Sequence, residues 1–406
     1  MHFLFAWRYF KAKKSTNAIN IISWVSVTAI TFATASLLVL WSAFNGFEGL
    51  VKSLYSTFYT DLKIIPASGK TLQLSGIQLN QLKMIAGVRS ISLIAEEKAL
   101  VRNGDISAMV QLKGVDSNYT EVTTVNKNLV RGRFLLGDVE QPGAVMGVGV
   151  ENAIGVMSDR SIGSLVVDLP RKGVSDLNDP LSSFSEGKLI PTGAFAIQQE
   201  FDNRYILTNL DFVKQSMSFG KDEYSSAEIA LTTADMEGPV KQQMESILGK
   251  QYQVLTQYEQ NRSLYNVMSL EKLAIYVIFI LVLAVAMFNL VGALTMLVME
   301  KQKDIQVLQA LGASKGTIQK IFLSEGTILA ALGLGMGIAI ASMLVYAQIH
   351  FKLVPLEGTS FVIDYYPVKM KAEDFITVSV TVMVIALLAS WIPSAKAANQ
   401  PFELRN

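Results

Sequence analysis

Four long stretches of this chain contain no Asp, Glu, Lys or Arg, and they limit its possible folds more than any other feature. They cover residues 15–47, 273–299, 326–351 and 375–395. About 20 mostly apolar residues in a helix span the roughly 30 Å of hydrocarbon in a bilayer, and a charge at the centre costs about 3 kcal/mol. Each stretch can therefore cross a membrane as one helix.

The spacing of these stretches predicts a one-plus-three arrangement. Residues 48–272 contain no comparable run, so we expect them to form a domain in water on one side of the membrane. Half of the 406 residues are hydrophobic and 17% are charged, which is too apolar for an ordinary soluble protein. The predicted fold class is an α-helical integral membrane protein with four transmembrane helices (1+3) and a large α+β domain between the first and second helices.

Lysine and arginine near the helix ends predict the orientation, because positive charge marks the cytoplasmic side. Both termini and the 300–325 segment are expected inside, and the large domain and the 351–374 loop outside. Lys352, Lys369 and Lys371 in the outer loop weaken this bias, but strict alternation leaves no other arrangement. The inner positive residues are Arg8, Lys11, Lys13, Lys14, Lys301, Lys303, Lys315, Lys320, Lys396 and Arg405.

The predicted segments follow from these runs. Residues 1–14 place Phe3, Trp7 and Phe10 on one helical face, which is typical either of an interfacial helix or of a simple basic flank. A helical pattern at 258–270 predicts a stalk that extends the second membrane helix. The segments are an N-terminal helix at 1–18, membrane helices at 19–44, 271–299, 326–350 and 375–395, the outer domain at 45–270, a cytoplasmic segment at 300–325, an outer loop at 351–374 and a cytoplasmic tail at 396–406.

Sequence periodicity divides the outer domain into two flanking units and a middle part. We expect one α+β subdomain from residues 45–116 and 226–270, with a mostly β subdomain at 117–225 inserted in it. Residues 169–189 are rich in Pro, Gly, Ser, Asp and Asn and exceed ordinary loop length, so they are either functional or disordered. The predicted elements are strands at 61–66, 88–101, 106–115, 164–168, 190–197, 227–232 and 252–255, and helices at 78–85 and 235–248.

The sequence offers little for catalysis. The chain has no cysteine and only two histidines, His2 and His350, so no zinc site is expected. Gly69-Lys70-Thr71 resembles the end of a phosphate-binding loop, but Ile64 replaces the opening glycine. No Gly-x-Ser-x-Gly motif occurs, and a net charge of +1 without a basic stripe argues against nucleic acid as a partner. We expect a non-enzymatic protein.

Two short patterns in the C-terminal half predict contacts. Gly333 and Gly337 have Gly-xxx-Gly spacing, which allows another helix to approach closely. In the run 299–314, Ile305, Leu308 and Leu311 fall three residues apart, so the segment is an amphipathic helix that Gly312 would end. An apolar stripe on an exposed segment needs a cover. We therefore expect a helical elbow that fits a groove in a partner.

Four motifs in this chain resemble one family of permeases. Glu300-Lys301-Gln302, followed by Leu308 to Ala313, is similar to the coupling segment of the MacB/FtsX-type ABC permeases, and the "MEKQ" form is closest to their lipoprotein-releasing branch, LolC/LolE. The other motifs are Asn45-Gly46-Phe47-Glu48, Ile392-Pro393-Ser394 to Ala398, and Gln400-Pro401 with Leu404-Arg405. The resemblance covers essentially the whole chain.

The resemblance implies a non-catalytic permease in the inner membrane of a diderm bacterium, with its large domain in the periplasm. Its partners would be a second permease (the same chain or a LolC/LolE paralogue), a LolD-like dimer of cytoplasmic ATPases, a LolA-like periplasmic carrier, membrane lipid and lipoprotein cargo. ATP would be used by the ATPase, and no cofactor is expected on this chain.

Three groups of site residues are implied by the resemblance. The first would couple to the ATPase, the second would form an apolar cavity for acyl chains, and the third would dock the carrier. The cavity residues are also open to a plainer reading as ordinary interfacial aromatics. The groups are Glu300, Lys301, Gln302, Ile305, Leu308, Gln309, Leu311, Gly312 and Ala313; then Leu40, Trp41, Phe44 and Phe47; then Leu169, Pro170, Asp179, Pro180, Leu181, Phe184 and Leu189.

Three other functions remain open at this point. A macrolide-type efflux permease normally carries an N-terminal ATPase domain, for which the 14 residues before the first charge-free run leave no room, so only a split version would fit. A regulator of a cell-wall hydrolase would use the same levers but typically has a smaller outer domain. A membrane-anchored scaffold would need no ATPase.

Overall fold

The computed structural model describes residues 17–160, 163–172, 183–355 and 365–400, with side chains from residue 21 onward. They belong to two compact units. The helical unit contains the chain up to Leu50 and most of it from Asn266 onward, and the sheet unit contains Val51–Tyr265. The predicted N-terminal helix at 1–18 lies outside the described residues, apart from its last two positions.

Outside the sheet unit, the described elements are helices. The helices are α1 Asn17–Phe58, α2 Gly76–Lys83, α3 Tyr119–Val122, α4 Val148–Ala153, α5 Gln199–Asp202, α6 Leu210–Ser216, α7 Glu237–Leu248, α8 Gln257–Gln260, α9 Arg262–Glu300, α10 Gln302–Ala310, α11 Lys315–Phe351 and α12 Ala372–Ala398. The strands are β1 Leu62–Pro66, β2 Leu72–Gln73, β3 Val88–Asn103, β4 Ile106–Val115, β5 Leu129–Gly132, β6 Gly143–Gly147, β7 Leu165–Pro170, β8 Phe184–Phe195, β9 Tyr205–Asn209, β10 Glu223–Tyr224, β11 Ser226–Leu231 and β12 Tyr252–Thr256.

Within the described residues, four helices are long and apolar enough to cross a membrane, namely α1, α9, α11 and α12. The prediction of four such helices is confirmed. Helix α1 continues to Phe58, well beyond the predicted end at residue 44. Glu48 and Lys52 end the charge-free run there, but charged residues do not end a helix, so the run marks the apolar part of α1 rather than its length.

Two glycines allow α11 to pack closely on α1. A Cβ atom at Gly333 would lie 2.9 Å from Cβ of Ile30, and one at Gly337 would lie 2.6 Å from Cβ of Thr34. The hydroxyl of Thr31 also donates a hydrogen bond of 3.1 Å to the carbonyl of Gly333. These are the positions with Gly-xxx-Gly spacing, and both face α1.

The sheet unit is built on one ten-stranded sheet with the order β12-β1-β11-β3-β4-β9-β6-β8-β5, in which β7 pairs with both β3 and β8. Most pairs are antiparallel, but β4 pairs with β9 and β6 with β8 in parallel. The strand predicted at 106–115 is present with these bounds. The strands predicted at 61–66, 88–101, 227–232 and 252–255 and the helices at 78–85 and 235–248 are present with shifted ends.

The sheet does not break at the predicted subdomain boundaries. Strand β4 pairs with β9 across residue 117, and hydrogen bonds therefore join the flanking part to the middle part. Two hydrophobic cores are present instead. One contains Ile64, Ile229 and Met244, and the other contains Val101 and Ile206. Because the strands form one sheet, the predicted division into two subdomains can concern only the hydrophobic cores, and it stays a prediction.

A buried ion pair lies inside the sheet unit. Nζ of Lys113 is 2.8 Å from a carboxylate oxygen of Glu228, and both side chains are almost fully buried. The same ammonium lies 4.7 Å from the ring centroid of Phe58 and 4.9 Å from that of Tyr119. A buried charge costs several kcal/mol unless it is paired, so Glu228 and the two rings together make the buried position of Lys113 tolerable.

Replacing Gly337 by Ala should destabilise the helical unit by about 1–3 kcal/mol, because the added methyl would overlap Thr34. The matched control is Gly335→Ala, since no atom lies within 4 Å of a Cβ at that position. Thermal unfolding of the purified full-length protein in detergent measures both. Equal melting temperatures for the two variants would contradict the close approach.

Replacing Glu228 by Gln should destabilise the sheet unit by about 3–5 kcal/mol, because Lys113 would keep a buried charge without its main partner. The control is Glu97→Gln, which removes the partner of the exposed Lys70 and should cost no more than about 1 kcal/mol. Denaturant unfolding followed by fluorescence compares them. A Glu228→Gln variant as stable as the control would show that the buried pair contributes little.

Candidate functional site

The elbow between α9 and α11 is a short helix, α10, with defined ends. Gly312 has φ of +88°, a backbone conformation that favours glycine, and it turns the chain just after α10. The side chain of Ser314 then accepts a hydrogen bond of 3.3 Å from the backbone N–H of Thr317 and caps α11. The structure thus places the end of one helix and the start of the next where the sequence predicted them.

The exposed face of α10 differs from the predicted stripe. Ile305 is only 1% exposed and belongs to the core of the helical unit, and Leu308 is half-buried. Val307 and Leu311 are instead 58% and 79% exposed. Ile305 therefore cannot contact a partner in this arrangement. Sequence spacing shows that α10 has an apolar side but not which apolar residues pack inward, and for this reason Val307 was missed.

Polar contacts hold the elbow to the end of α12. Lys301 forms an ion pair of 3.1 Å with Asp304 within the elbow itself. The side-chain amide of Gln309 donates to the carbonyl of Gln400 at 3.5 Å, and Nζ of Lys315 lies 3.4 Å from Oδ1 of Asn399. Of the remaining predicted coupling residues, Gln302 is exposed and Glu300 and Ala313 are partly buried. These bonds link the elbow and the start of α11 to the residues just after α12.

An apolar groove of about 220 Å³ lies between α1 and α9. Leu40 lines it, but Trp41, Phe44 and Phe47 do not. Trp41 is buried against the ring of Tyr276 at 5.6 Å. The groove lies mainly on the stretch of α1 before residue 40, and no sequence signal separates its residues from other apolar helix residues. They are Phe32, Ala33, Ser36, Leu37, Leu40, Ile275, Ile278, Phe279 and Val282.

The motif Asn45 to Glu48 contacts the segment that leads into α12. A Cβ atom at Gly46 would overlap the carbonyl of Pro367, so only glycine fits there. The ring of Phe47 stacks on Tyr366 with centroids 6.3 Å apart. Glu48 pairs with Lys371 at 3.5 Å, and Asn45 donates to the carboxylate of Asp374. All four motif residues therefore contact residues 366–374.

The hairpin of β7 and β8 supplies both ends of the predicted docking loop at 169–189. Strands β7 and β8 pair from Leu165 with Leu189 to Pro170 with Phe184. Leu169 and Leu189 are 0% exposed, so these two residues cannot contact a carrier directly. Phe184 is half-exposed, and Asp179, Pro180 and Leu181 lie outside the described residues. The loop-like composition misled the prediction because cross-strand pairing extends both strands into it.

Charged contacts fix the base of this hairpin. Arg102 on β3 bonds to Asp168 on β7 at 2.9 Å and to Glu186 on β8 at 3.1 Å. Lys172, just beyond β7, pairs with Glu223. Burial of Glu223 opposes its ionisation, but hydrogen bonds from Lys172 and from the N–H of Gly220 outweigh burial and lower the pKa of the carboxyl below its ordinary value. These contacts therefore hold β7 and β8 to β3, and Lys172 to β10.

Among the described residues, no group of three or more His, Asp or Glu is placed to hold a metal ion. Oxygen and nitrogen ligands at ordinary metal distances would require such a cluster. The three features that remain are the exposed elbow, the apolar groove and the hairpin.

Comparison with solved structures gives two matches that each cover about half of this chain, both with low TM-scores. The extracellular domain of the noncanonic ABC-type transporter YknZ from Gram-positive bacteria covers 48% of this chain at 15% identity, with a TM-score of 0.33. The periplasmic region of MacB from Actinobacillus actinomycetemcomitans covers 52% at 14% identity, with a TM-score of 0.36. The two matched regions are covered to 99% and 95% of their own lengths.

Sequence comparison gives matches over nearly the whole chain. The lipoprotein-releasing system transmembrane protein LolE of Haemophilus influenzae is 25% identical over 99% of this chain and 98% of its own length. The protein LolC of Neisseria meningitidis serogroup B, of the same system, is 24% identical over 99% of both. Residues 276–402 match the family described as FtsX-like permease C-terminal. The resemblance inferred from the sequence motifs is thereby confirmed: over nearly its whole length the chain is similar to LolC and LolE proteins, and its C-terminal part matches the FtsX-like permease family.

Proposed function

We propose that this chain is the permease subunit of an ABC transporter that extracts lipoproteins from the outer leaflet of the inner membrane and passes them to a periplasmic carrier. A separate, LolD-like cytoplasmic ATPase dimer binds and hydrolyses the ATP, and this chain is a non-catalytic subunit that binds no cofactor. A second permease, either the same chain or a LolC/LolE paralogue, completes the membrane part. The whole-length similarity to transmembrane proteins of lipoprotein-releasing systems supports the proposal.

The apolar groove between α1 and α9 is the structural observation that carries the proposal. Its lining is apolar except for Ser36, and it lies on two helices long enough to cross a membrane. Each CH₂ group removed from water is stabilised by about 0.8 kcal/mol, so an acyl chain leaving the bilayer needs an apolar wall of this kind. In this proposal the groove receives the acyl chains of the cargo.

The elbow α10 supplies the contact with the ATPase. Val307 and Leu311 form its exposed apolar face, and the hydrogen bond from Gln309 to the carbonyl of Gln400 links the elbow to the residues just after α12. An apolar side chain exposed on a short helix is the usual anchor for a groove in a partner protein. Movement of the ATPase dimer would thus be transmitted to the last helix together with the elbow.

Helices α1 and α9 provide the route from the membrane to the sheet unit. Each is a single unbroken helix, of 42 and 39 residues, and each contains residues of both units. Each helix therefore connects the two units without a loop between them. The hairpin of β7 and β8, with Phe184 exposed, is the proposed docking segment for the carrier.

Reconstitution of the full transporter tests the function. Proteoliposomes that contain this chain, its partner permease and the ATPase should release an acylated protein when ATP and a soluble carrier are both present. Release is measured as acylated protein in the supernatant after flotation. Release without ATP would contradict ATP-driven lipoprotein extraction. Hydrolysis of ATP with no release of any acylated protein would also contradict it, and would favour an efflux or cell-wall hydrolase role for the same FtsX-like architecture.

Replacing Val307 and Leu311 by Asp should reduce ATP-dependent release at least tenfold without unfolding the permease, because both side chains are exposed. The matched control is Val307→Ile with Leu311→Met, which changes the same two exposed side chains but keeps the face apolar. Co-purification of the ATPase and release by the reconstituted transporter are the two measurements. Full release by the protein with both Asp substitutions would show that this face is not the coupling surface.

A further inference from the structure

Three polar side chains meet at one end of the helical unit, one from each of α1, α9 and α12. Asn45 on α1 donates a hydrogen bond to Oδ2 of Asp374 on α12 and accepts one of 3.3 Å from Nζ of Lys272 on α9. Nζ of Lys272 is also 3.6 Å from Oδ1 of Asp374. Each member contacts the other two, so the three form a closed triad.

The triad is mostly shielded from water. Asn45 is 1% exposed, Asp374 is buried, and only Lys272 retains about a third of its exposure. A buried amide or carboxylate loses hydration on burial, and it is tolerated only where its partners replace the lost hydrogen bonds. The helices are therefore held in the one arrangement that satisfies all three groups, and any separation of α1 from α9 breaks contacts on both.

The triad lies just beyond one end of the apolar groove. On α1, Asn45 follows the groove residue Leu40 by five positions, and on α9, Lys272 precedes the groove residue Ile275 by three. At a rise of about 1.5 Å per residue these are distances of roughly 8 Å and 5 Å along the helices. Nζ of Lys272 also lies 5.2 Å from the ring centroid of Trp41 on α1. The two walls of the groove are thus tied together at this end.

The groove has a smaller volume in this structure than its proposed cargo would need. Sites that enclose a drug-sized ligand have volumes of about 300–1,000 Å³, whereas this groove measures about 220 Å³. A lipid-anchored protein carries more apolar volume than such a ligand. In this proposal the cargo is admitted when α1 and α9 move apart, and this movement acts against the triad.

We propose that Asn45, Lys272 and Asp374 are a polar latch that keeps the groove narrow and opens when the groove receives acyl chains. The proposal rests on the function proposed above for the groove. Lys272 is the central member, because its ammonium is the only charge on α9 that contacts both α1 and α12 in the described contacts. The latch determines how readily α1 and α9 separate. The ATPase would drive that separation through the elbow at the other end of α9.

The chain contains no cysteine, so the width of the groove can be measured directly with two introduced labels. Leu40→Cys and Val277→Cys place spin labels on half-exposed positions of α1 and α9. The full-length protein is reconstituted in lipid nanodiscs without cargo or ATPase, and the distance distribution is measured by double electron–electron resonance. Lys272→Met and the nearly isosteric Asp374→Asn should each raise the population of long distances at least threefold.

Two further variants separate a latch from a general packing effect. Lys371→Met is the matched control, because it breaks the neighbouring pair with Glu48, which does not involve α9, and it should leave the distribution unchanged. The charge exchange Lys272→Asp with Asp374→Lys should restore at least part of the narrow population. A Lys272→Met distribution identical to that of Lys371→Met, or a charge exchange no narrower than either single variant, would overturn the latch. Because no cargo is present, failure of lipoprotein release would leave this result standing, and an unchanged distance with intact release would refute the latch alone.

Discussion

The close approach of α11 to α1 at Gly333 and Gly337 places a steric limit on the helical unit, because any larger side chain at either position would overlap α1. Between helices surrounded by lipid the hydrophobic effect gives little attraction, so association relies on van der Waals contact and on hydrogen bonds such as the one from Thr31 to Gly333. Once α11 is seated on α1, the other side of α1 is left to form a wall of the groove with α9. The groove is therefore a consequence of where the small residues lie.

Much of the secondary structure could be predicted from the sequence, because long charge-free runs mark apolar helices and alternating apolar residues mark strands. The four membrane helices, strands such as Ile106–Val115 and the turn at Gly312 are of this kind. The ends were less accurate. Helix α1 extends to Phe58 because a helix can continue through charged residues after its apolar run has ended. Strands β7 and β8 extend into a stretch with the composition of a loop because they pair with each other.

The candidate site was harder to predict, since side-chain direction depends on distant contacts. The spacing of Ile305, Leu308 and Leu311 marks an apolar side of α10, but whether Ile305 or Val307 faces out is decided by the ends of α9, α11 and α12 that pack around it. Resemblance to other permeases pointed to Asn45 through Glu48. Their partners, Lys272 and residues 366–374, lie more than two hundred positions along the chain, where no single-sequence pattern can link them.

The burial of Leu169 and Leu189 has a practical meaning for domain engineering. These leucines anchor the two strands in the interior, while the outer part of the hairpin begins only at Pro170 and Phe184. A chimera that exchanges hairpins between relatives should therefore be joined at that second pair of positions. A chimera joined at the leucines would replace interior residues of the host as well as the outer part of the hairpin. Loss of carrier binding in such a chimera could result simply from misfolding of the sheet unit.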